Sequence, residues 1–336
     1  MDNRSTLPLS HSTPPARRDF LRTFLGAVAS LGASGAVSGC ATAESASDCP
    51  SDGTTKPFDY LAATPDGALD VSGLPLRQDD PAWGAEVMWD RDLVIQAATE
   101  LDGYSTAEAA LLLREFDDGN NIANEGCMLT CLAMVLRLLA APATPPWTPR
   151  TLNDAAHEAL YYSLSGLSMT TLYADLVAEV TGGAVQLCLK EEYLPGEPGW
   201  PRMRASSSAL VRAYRTLSPE KRANFVVMLK TGTYDDTVAS HYVLLHPNDA
   251  GSVDDDDVTV LDPAMPADAK VPWRLSDSAK VITEDPDIAA GWQDAAIEPT
   301  QLGGAWVFVR WGENRDRSLL APLVHAWASE LSTRST

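Results

Sequence analysis

Apolar residues recur with a helical period through the first half of the chain. A helix from Arg91 to Glu115 is expected to break at Asp102-Gly103 and to resume after Ser105, where Ser105 and Glu108 form a capping signal. The segment from Cys127 is apolar on nearly every side, which indicates a central, buried helix. The other predicted helices of this half are 148–162 and 170–180.

The period changes to that of β-strands after Gly182-Gly183. Runs rich in β-branched and aromatic residues, each bounded by Gly, Pro or Asp, predict five strands. They are Ala184–Lys190, Asn224–Lys230, Ser240–His246, Val258–Leu261 and Ala305–Trp311, with further helices at 207–217 and 317–331. Helices first and then a mostly antiparallel sheet predict an α+β fold, with the helix from Cys127 packed on the sheet.

The N-terminal residues predict an export signal. Arg17-Arg18 followed by Asp-Phe-Leu-Arg resembles the twin-arginine motif, and the uncharged stretch 23–39 follows it. That stretch is short and rich in Gly, Ala and Ser, so it does not predict a transmembrane helix. We therefore expect recognition by the twin-arginine export machinery.

Two cleavage sites remain open after this signal. Val37-Ser38-Gly39-Cys40 resembles a lipobox, in which Cys40 is lipidated and anchors the protein to the membrane on its periplasmic or extracellular face. Ala41-Thr42-Ala43 would instead be an A-x-A site that releases a soluble protein. Small and polar residues then predict a flexible tether over 40–57.

The charge is strongly negative. The chain of 336 residues has a formal net charge of −21, and removal of residues 1–39 takes away four arginines and two aspartates, which gives −23. We therefore expect no binding to nucleic acid or to anionic membrane surfaces. The run Asp254–Asp257 could form a cation site, but its place between two predicted strands favours a charged hairpin turn.

Five cysteines have to be assigned: Cys40, Cys49, Cys127, Cys131 and Cys188. A disulfide between Cys49 and Cys188 is compatible with an oxidising compartment. Cys127 and Cys131 are one helical turn apart in a C-x3-C spacing, which is neither a redox nor a zinc C-x-x-C pattern. We expect no metal and no cofactor.

Cys127 is the strongest candidate for chemistry. It stands where an Asn-rich loop becomes a helix, and a helix N-terminus favours the thiolate over the thiol. His241 begins one predicted strand and Asp262 ends the next, so a hairpin between these strands would bring both to the same end of the sheet. A histidine beside a carboxylate is an oriented general base.

Three segments resemble the bacteriocin-processing cysteine peptidases and their stand-alone relatives in the papain-like superfamily. They are Gly126–Leu136, His241–Leu244 and Leu261–Pro263, in the family's order Cys, His, Asp. The resemblance implies a papain-like fold, a peptide or protein substrate, Cys127 as nucleophile, His241 as base and Asp262 as the residue that orients the imidazole.

Two positions depart from the family pattern. The family has a Gln six residues before the nucleophile that helps to hold the oxyanion, and here that position is Asn121. An Asn amide can donate the same hydrogen bond with a shorter reach. The family also favours Gly directly after the nucleophile, where this chain has Met128, and a cleft of different width is therefore expected there.

The remaining cysteine and histidines are expected to be structural. Cys131 is interpreted as packing one turn into the helix. His246 has the opposite strand parity to His241, His157 lies on a helix face predicted to be exposed, and His325 belongs to the C-terminal helix. None of them predicts a metal ligand.

The resemblance divides the chain into five parts: the signal 1–39, the tether 40–57, an N-terminal arm with helices 58–118, a papain-like catalytic domain 119–315 and a C-terminal helix 316–336. It predicts an exported, lipid-anchored cysteine peptidase. Two alternatives stay open: an inactive papain-like binding module at the cell surface, and an amidase or acyltransferase that acts on cell-wall peptides.

Overall fold

The computed structural model describes most of the chain after residue 68. The described residues are 69–89, 91–112, 121–140, 146–158, 170–192, 206, 208–231, 241–249, 255, 257–269, 272–278, 302–311, 318 and 320–334. The predicted signal, the tether, Cys40 and Cys49 lie outside them. No helix within these described residues is long and apolar enough to cross a membrane.

The helices follow the predicted order. In the N-terminal half they are α1 (Arg91–Ala97), a π-helical segment (Ala98–Asp102), α2 (Thr106–Leu112), α3 (Ile122–Glu125), α4 (Cys127–Leu139), α5 (Pro149–Glu158) and α6 (Thr170–Val180). In the C-terminal half they are α7 (Ala209–Arg215), α8 (Pro219–Arg222) and α9 (Ala321–Arg334).

The break predicted near residue 102 is confirmed. Gly103 adopts φ 76° and ends the π-helical segment, a conformation that glycine reaches without steric cost. The backbone N–H of Ser105 donates to Glu108 Oε2 over 2.8 Å, and the N–H of Glu108 donates to Ser105 Oγ over 3.3 Å. These reciprocal bonds are the capping box that the sequence predicts.

The strands form one antiparallel sheet. They are β1 (Val185–Glu192), β2 (Phe225–Thr231), β3 (His241–Leu245), β4 (Val260–Leu261) and β5 (Leu302–Arg310). Their spatial order is β1-β5-β2-β3-β4, with every neighbouring pair antiparallel. The predicted α+β class is confirmed, although the strand ends move by up to three residues and the short helices α3 and α8 were not predicted.

Both faces of the sheet are buried. In β2, Val226 and Met228 belong to a core shared with α4, while Phe225, Val227 and Leu229 belong to a second core shared with α7 and α9. This alternation follows from the two-residue period of a strand. Helices cover both faces, so the middle strands are buried on each side.

Helix α4 is the central helix of the first core. Eleven of its thirteen residues are buried, as its uniformly apolar sequence predicts. The guanidinium of Arg310 in β5 donates to the carbonyl oxygen of Leu138 over 3.1 Å and so satisfies one carbonyl at the helix C-terminus. The opposite end of α4, at Cys127, is the end that reaches strand β3.

Candidate active site

Cys127 is the first residue of α4 and is half-buried. Gly126 precedes it at the junction between α3 and α4. A Cβ atom at Gly126 would lie 2.4 Å from the carbonyl oxygen of Ile122, so no other residue fits without a backbone shift. The turn that presents the thiol is therefore fixed by close packing of backbone against backbone.

His241 and Asp262 meet at the end of the β3–β4 pair. Leu244 lies opposite Leu261, and continuing this register by one residue places Asp262 opposite Val243, two residues from His241 on the same face. The Nε2 atom of His241 is 2.7 Å from Oδ1 of Asp262. The predicted proximity of these two side chains is observed, and it is a diagonal pair across the hairpin.

The imidazole links the carboxylate to the thiol. Besides its hydrogen bond with Asp262, the ring of His241 lies close enough to Cys127 for the two side chains to interact. Because Nε2 faces Asp262, Nδ1 is the ring nitrogen that remains to exchange a proton with the sulfur. The structure thus brings together the three residues that the sequence places 114 and 21 positions apart.

The charges of this group depend on one another. Burial alone disfavours a charged ring and lowers the pKa of His241, but the charge of Asp262 and the hydrogen bonds to Asp262 and Cys127 outweigh it and raise that pKa to about 10. Burial raises the pKa of Asp262. The positive ring of His241 and the hydrogen bonds to the carboxylate lower that pKa by more than burial raises it, so the net shift is downward. An imidazolium beside a carboxylate is the favoured state.

Asp262 is held by more than the histidine. Its Oδ1 accepts a hydrogen bond from the backbone N–H of Ala264 over 2.7 Å. The indole N–H of Trp273 lies 3.4 Å from Oδ2 and 3.0 Å from Oγ of Ser278, so Trp273 connects the carboxylate to that hydroxyl. The carboxylate is 1% exposed, and hydrogen bonds to both of its oxygens fix its orientation.

Cys131 has the packing environment that the sequence predicts. It is fully buried, and its thiol donates to the carbonyl oxygen of Tyr242 over 3.3 Å. Burial raises the pKa of this thiol well above its usual range, and the nearby Cys127 and Asp262 raise it further. Cys131 is therefore an unreactive neighbour of Cys127, one helical turn away.

Asn121 is the N-cap of the short helix before the nucleophile. Its Oδ1 accepts a hydrogen bond from the backbone N–H of Asn124 over 3.0 Å. The carbonyl end of the amide thus serves capping, and the Nδ2 group is the part left for the predicted oxyanion bond, which stays a prediction. The side chain of Met128 is buried in the first core rather than exposed.

The other histidines do not join this group. His157 was predicted to be exposed, which is wrong: it is half-buried, and its Nε2 lies 2.6 Å from the carbonyl oxygen of Met88, because the N-terminal arm packs on α5. His246 follows β3, where its Nδ1 accepts from the N–H of Asn248, and burial lowers its pKa. His325 is exposed on α9.

The acidic run between β3 and β4 is used in structural contacts where it is described. Asp255 pairs with Arg274 over 3.0 Å, and Oδ2 of Asp257 accepts from the hydroxyl of Ser276 over 2.6 Å. Within the described part of the chain, no three His, Cys, Asp or Glu side chains are grouped so that they could hold a metal ion. Cys188 is buried in β1, and its predicted disulfide with Cys49 stays a prediction.

Sequence reasoning missed the contribution of the N-terminal arm. The arm segment 76–88 runs beside α3, which precedes Cys127. The N–H of Ile122 donates to the backbone carbonyl oxygen of Glu86 over 3.0 Å, and that of Ala123 donates to the carbonyl oxygen of Gly84 over 2.9 Å. Gln78 connects this arm both to α3 and to the loop that follows Asp262. Its Pro- and Gly-rich surroundings predict only irregular structure, so no local signal marked it.

Comparison of the chain with models of protein families, with curated proteins and with solved structures found no match. The function is therefore argued from the geometry of the site.

Proposed function

We propose that this protein is a cysteine peptidase of papain-like fold that hydrolyses peptide bonds through Cys127, His241 and Asp262. The observation that carries the proposal is the hydrogen bond between His241 and Asp262, with Nε2 2.7 Å from the carboxylate, beside the thiol of Cys127 at the first residue of a buried helix. A nucleophile, a base and a residue that orients the base are what acyl transfer requires.

The first half of the reaction forms an acyl-enzyme. Sγ of Cys127 attacks the carbonyl carbon of the substrate while the thiol proton resides on Nδ1 of His241. The carbonyl π electrons move to oxygen, and the resulting oxyanion is stabilised by the backbone N–H of Cys127 and the amide of Asn121. The intermediate then collapses, the C–N bond breaks, and His241 gives its proton to the leaving amine.

The second half releases the acid. His241 takes a proton from a water molecule, whose oxygen attacks the thioester carbon. The C–S bond breaks, the proton returns to the sulfur, and Cys127 is regenerated. Asp262 keeps the ring oriented and stabilises the imidazolium through both halves, because its oxygens are held by Ala264 and Trp273.

The test is labelling of the full chain with iodoacetamide, followed by mass spectrometry of each cysteine. We expect fast alkylation of Cys127 near neutral pH, its loss in His241→Ala, and no change in Cys131→Ala, which is the matched control on the same helix. A rate that follows ionisation at about pH 8.5, as for an ordinary thiol, and that ignores His241→Ala would favour the inactive binding module.

A cleavage-site survey with a mixture of peptides then identifies the reaction. Cleaved peptide bonds that depend on Cys127 support the peptidase. Products that arise only from cell-wall peptides support the amidase or acyltransferase, which uses the same three residues. Export by the twin-arginine pathway and lipidation of Cys40 are further proposals, since both features lie outside the described residues.

A further inference from the structure

Gln78 joins the segments next to Asp262 and Cys127, the first and last of the three proposed catalytic residues. Its backbone N–H donates to the carbonyl oxygen of Pro263 over 2.9 Å, directly after Asp262. Its side-chain Nε2 donates to the carbonyl oxygen of Ala123 over 2.6 Å, four residues before Cys127. One residue of the arm therefore contacts both the loop after Asp262 and the helix α3 before Cys127.

The position of Ala123 gives the second bond its meaning. In an unbroken α-helix the carbonyl of residue i−4 accepts the N–H of residue i, so Ala123 is the acceptor that a continuous helix would offer to the N–H of Cys127. Gln78 supplies a donor to that same oxygen. The N–H of Cys127 is one of the two donors that the proposed reaction needs for its oxyanion.

The orientation of the Gln78 amide is fixed by chemistry. Exchange of its two ends would place Oε1 against the oxygen of Ala123, where neither atom can donate. In the observed orientation Oε1 is buried and has no hydrogen-bond partner among the described residues. A buried acceptor without a partner destabilises the folded state, so this arrangement is not the one that stability alone favours.

The arm around Gln78 is itself anchored. The exposed fraction of Leu76 is 5%, and its N–H is directed at Sδ of Met134 in α4. A Cβ atom at Gly84 would lie 3.1 Å from the carbonyl oxygen of Gln78, so the arm closes tightly on this residue. The amide is thereby presented from a fixed backbone.

We propose that Gln78 is a positioning residue for the oxyanion site, which satisfies the carbonyl of Ala123 and so leaves the N–H of Cys127 available to the developing oxyanion. The inference rests on the proposed cysteine-peptidase function. It assigns Gln78 no contact with substrate. The reactivity of the thiol and the stabilisation of an oxyanion can be measured separately, because thiol alkylation forms no oxyanion whereas attack on a carbonyl does.

The experiment measures both properties in the full chain. The first probe is iodoacetamide, whose alkylation rate reports the reactivity of the thiol. The second probe is the aldehyde N-acetylglycinal, whose carbonyl carbon bonds to Sγ of Cys127 while the thiol proton passes to the carbonyl oxygen. Binding of the aldehyde is measured as protection of Cys127 from alkylation. The variants are Gln78→Met, which keeps the length and removes the amide, and Gln96→Met.

Gln96 is the matched control because it is exposed on α1 and its Nε2 donates to the exposed Glu100 over 2.9 Å. We expect Gln78→Met to weaken aldehyde binding roughly tenfold, which is less than the 10²–10³ lost when an oxyanion donor is removed outright. Its alkylation rate should stay within about twofold of the original, as should both values for Gln96→Met. The melting temperature of Gln78→Met should not fall, because the substitution removes Oε1, which is buried and has no hydrogen-bond partner among the described residues.

Gln78→Glu provides the rescue. Its carboxylate cannot donate to Ala123 and should weaken aldehyde binding at neutral pH, whereas the protonated carboxyl can donate and should regain affinity relative to Gln78→Met at about pH 4. Equal aldehyde affinities in Gln78→Met and the original chain overturn the inference, as does a parallel loss of both probes. If the unaltered chain shows neither His241-dependent alkylation nor aldehyde binding, the proposed function fails and the inference with it.

Discussion

Two buried ion pairs lie at opposite ends of strand β3. At its first residue Nε2 of His241 is 2.7 Å from Asp262, and beyond its last residue the guanidinium of Arg215 is 2.8 Å from Asp249. The side chains of the first pair are 11% and 1% exposed, and those of the second are 1% and 2% exposed. Distance and burial are thus nearly the same.

The difference lies in the cation. A guanidinium stays charged at every pH that a protein tolerates, so Arg215 can only hold Asp249 and, through Nη1, the carbonyl of Asp255 over 3.0 Å. An imidazole can give up its proton and regain it. The pair at the start of β3 also lies beside the thiol of Cys127, so in the proposed reaction the same Coulomb attraction would support proton transfer there, whereas at the other end it supports stability.

Asp262→Asn should have the largest effect, and on activity. An Asn side chain cannot stabilise the imidazolium or select its tautomer, so we expect kcat/KM for a cleaved peptide to fall by about 10³–10⁴. The control is the same change at the other pair, Asp249→Asn, which should leave kcat/KM of the folded protein unaltered. Similar losses in both variants would mean that Asp262 acts through the fold alone.

Arg215→Met should have the largest effect on stability. It leaves the buried carboxylate of Asp249 without its cation, and we expect the free energy of unfolding in denaturant to fall by about 3–5 kcal/mol. Adding Asp249→Leu removes the stranded charge and should restore much of the loss. If the single variant is as stable as the original chain, water reaches Asp249 and the pair is weaker than its burial indicates.

The stability that the His241–Asp262 pair contributes should depend on pH. The pKa of His241 is raised from 6.5 to about 10, so its contribution is fully present below pH 6.5 and is lost as the pH rises through about 10. The pKa of Asp262 is lowered, so its contribution is present above the ordinary value of 3.8 and is lost in more acidic solution.

The measurement is the melting temperature of the original chain and of Asp262→Asn between pH 6 and pH 10. The difference between the two curves cancels the other titrating groups, and we expect it to shrink as the pH rises, since the original chain loses the pair. A difference that stays constant over this interval would contradict a protonated His241 in the resting protein.

Asp255→Asn should have the smallest effect. Its pair with Arg274 is partly exposed, at 29% and 37%, and exposed pairs contribute less than about 1 kcal/mol. We expect the free energy of unfolding to change by less than this amount, with the change reduced further by added salt. A loss as large as that of Arg215→Met would mean that the acidic run organises the loop between β3 and β4.

Much of the site could be predicted because its parts are local. The apolar run after Cys127 and the Pro residues beyond it define α4, and the runs rich in β-branched and aromatic residues at 241–245 and 258–261 define a hairpin that brings His241 to Asp262. Helical spacing also predicts that Cys131 is buried on the same helix as Cys127. The exposed position expected for His157 was wrong because helical period does not reveal that another segment covers that face.

The sequence by itself determined the α+β order of elements, the buried character of α4 and the two ends at which the candidate chemistry is placed. Only the tertiary structure decided that Arg215 pairs with Asp249 across 34 positions, and that Gln78 reaches Ala123 and Pro263 across 45 and 185 positions. Periodicity and capping are set by neighbours along the chain, whereas these contacts depend on how loops from separate elements close over the sheet, for which no local pattern exists.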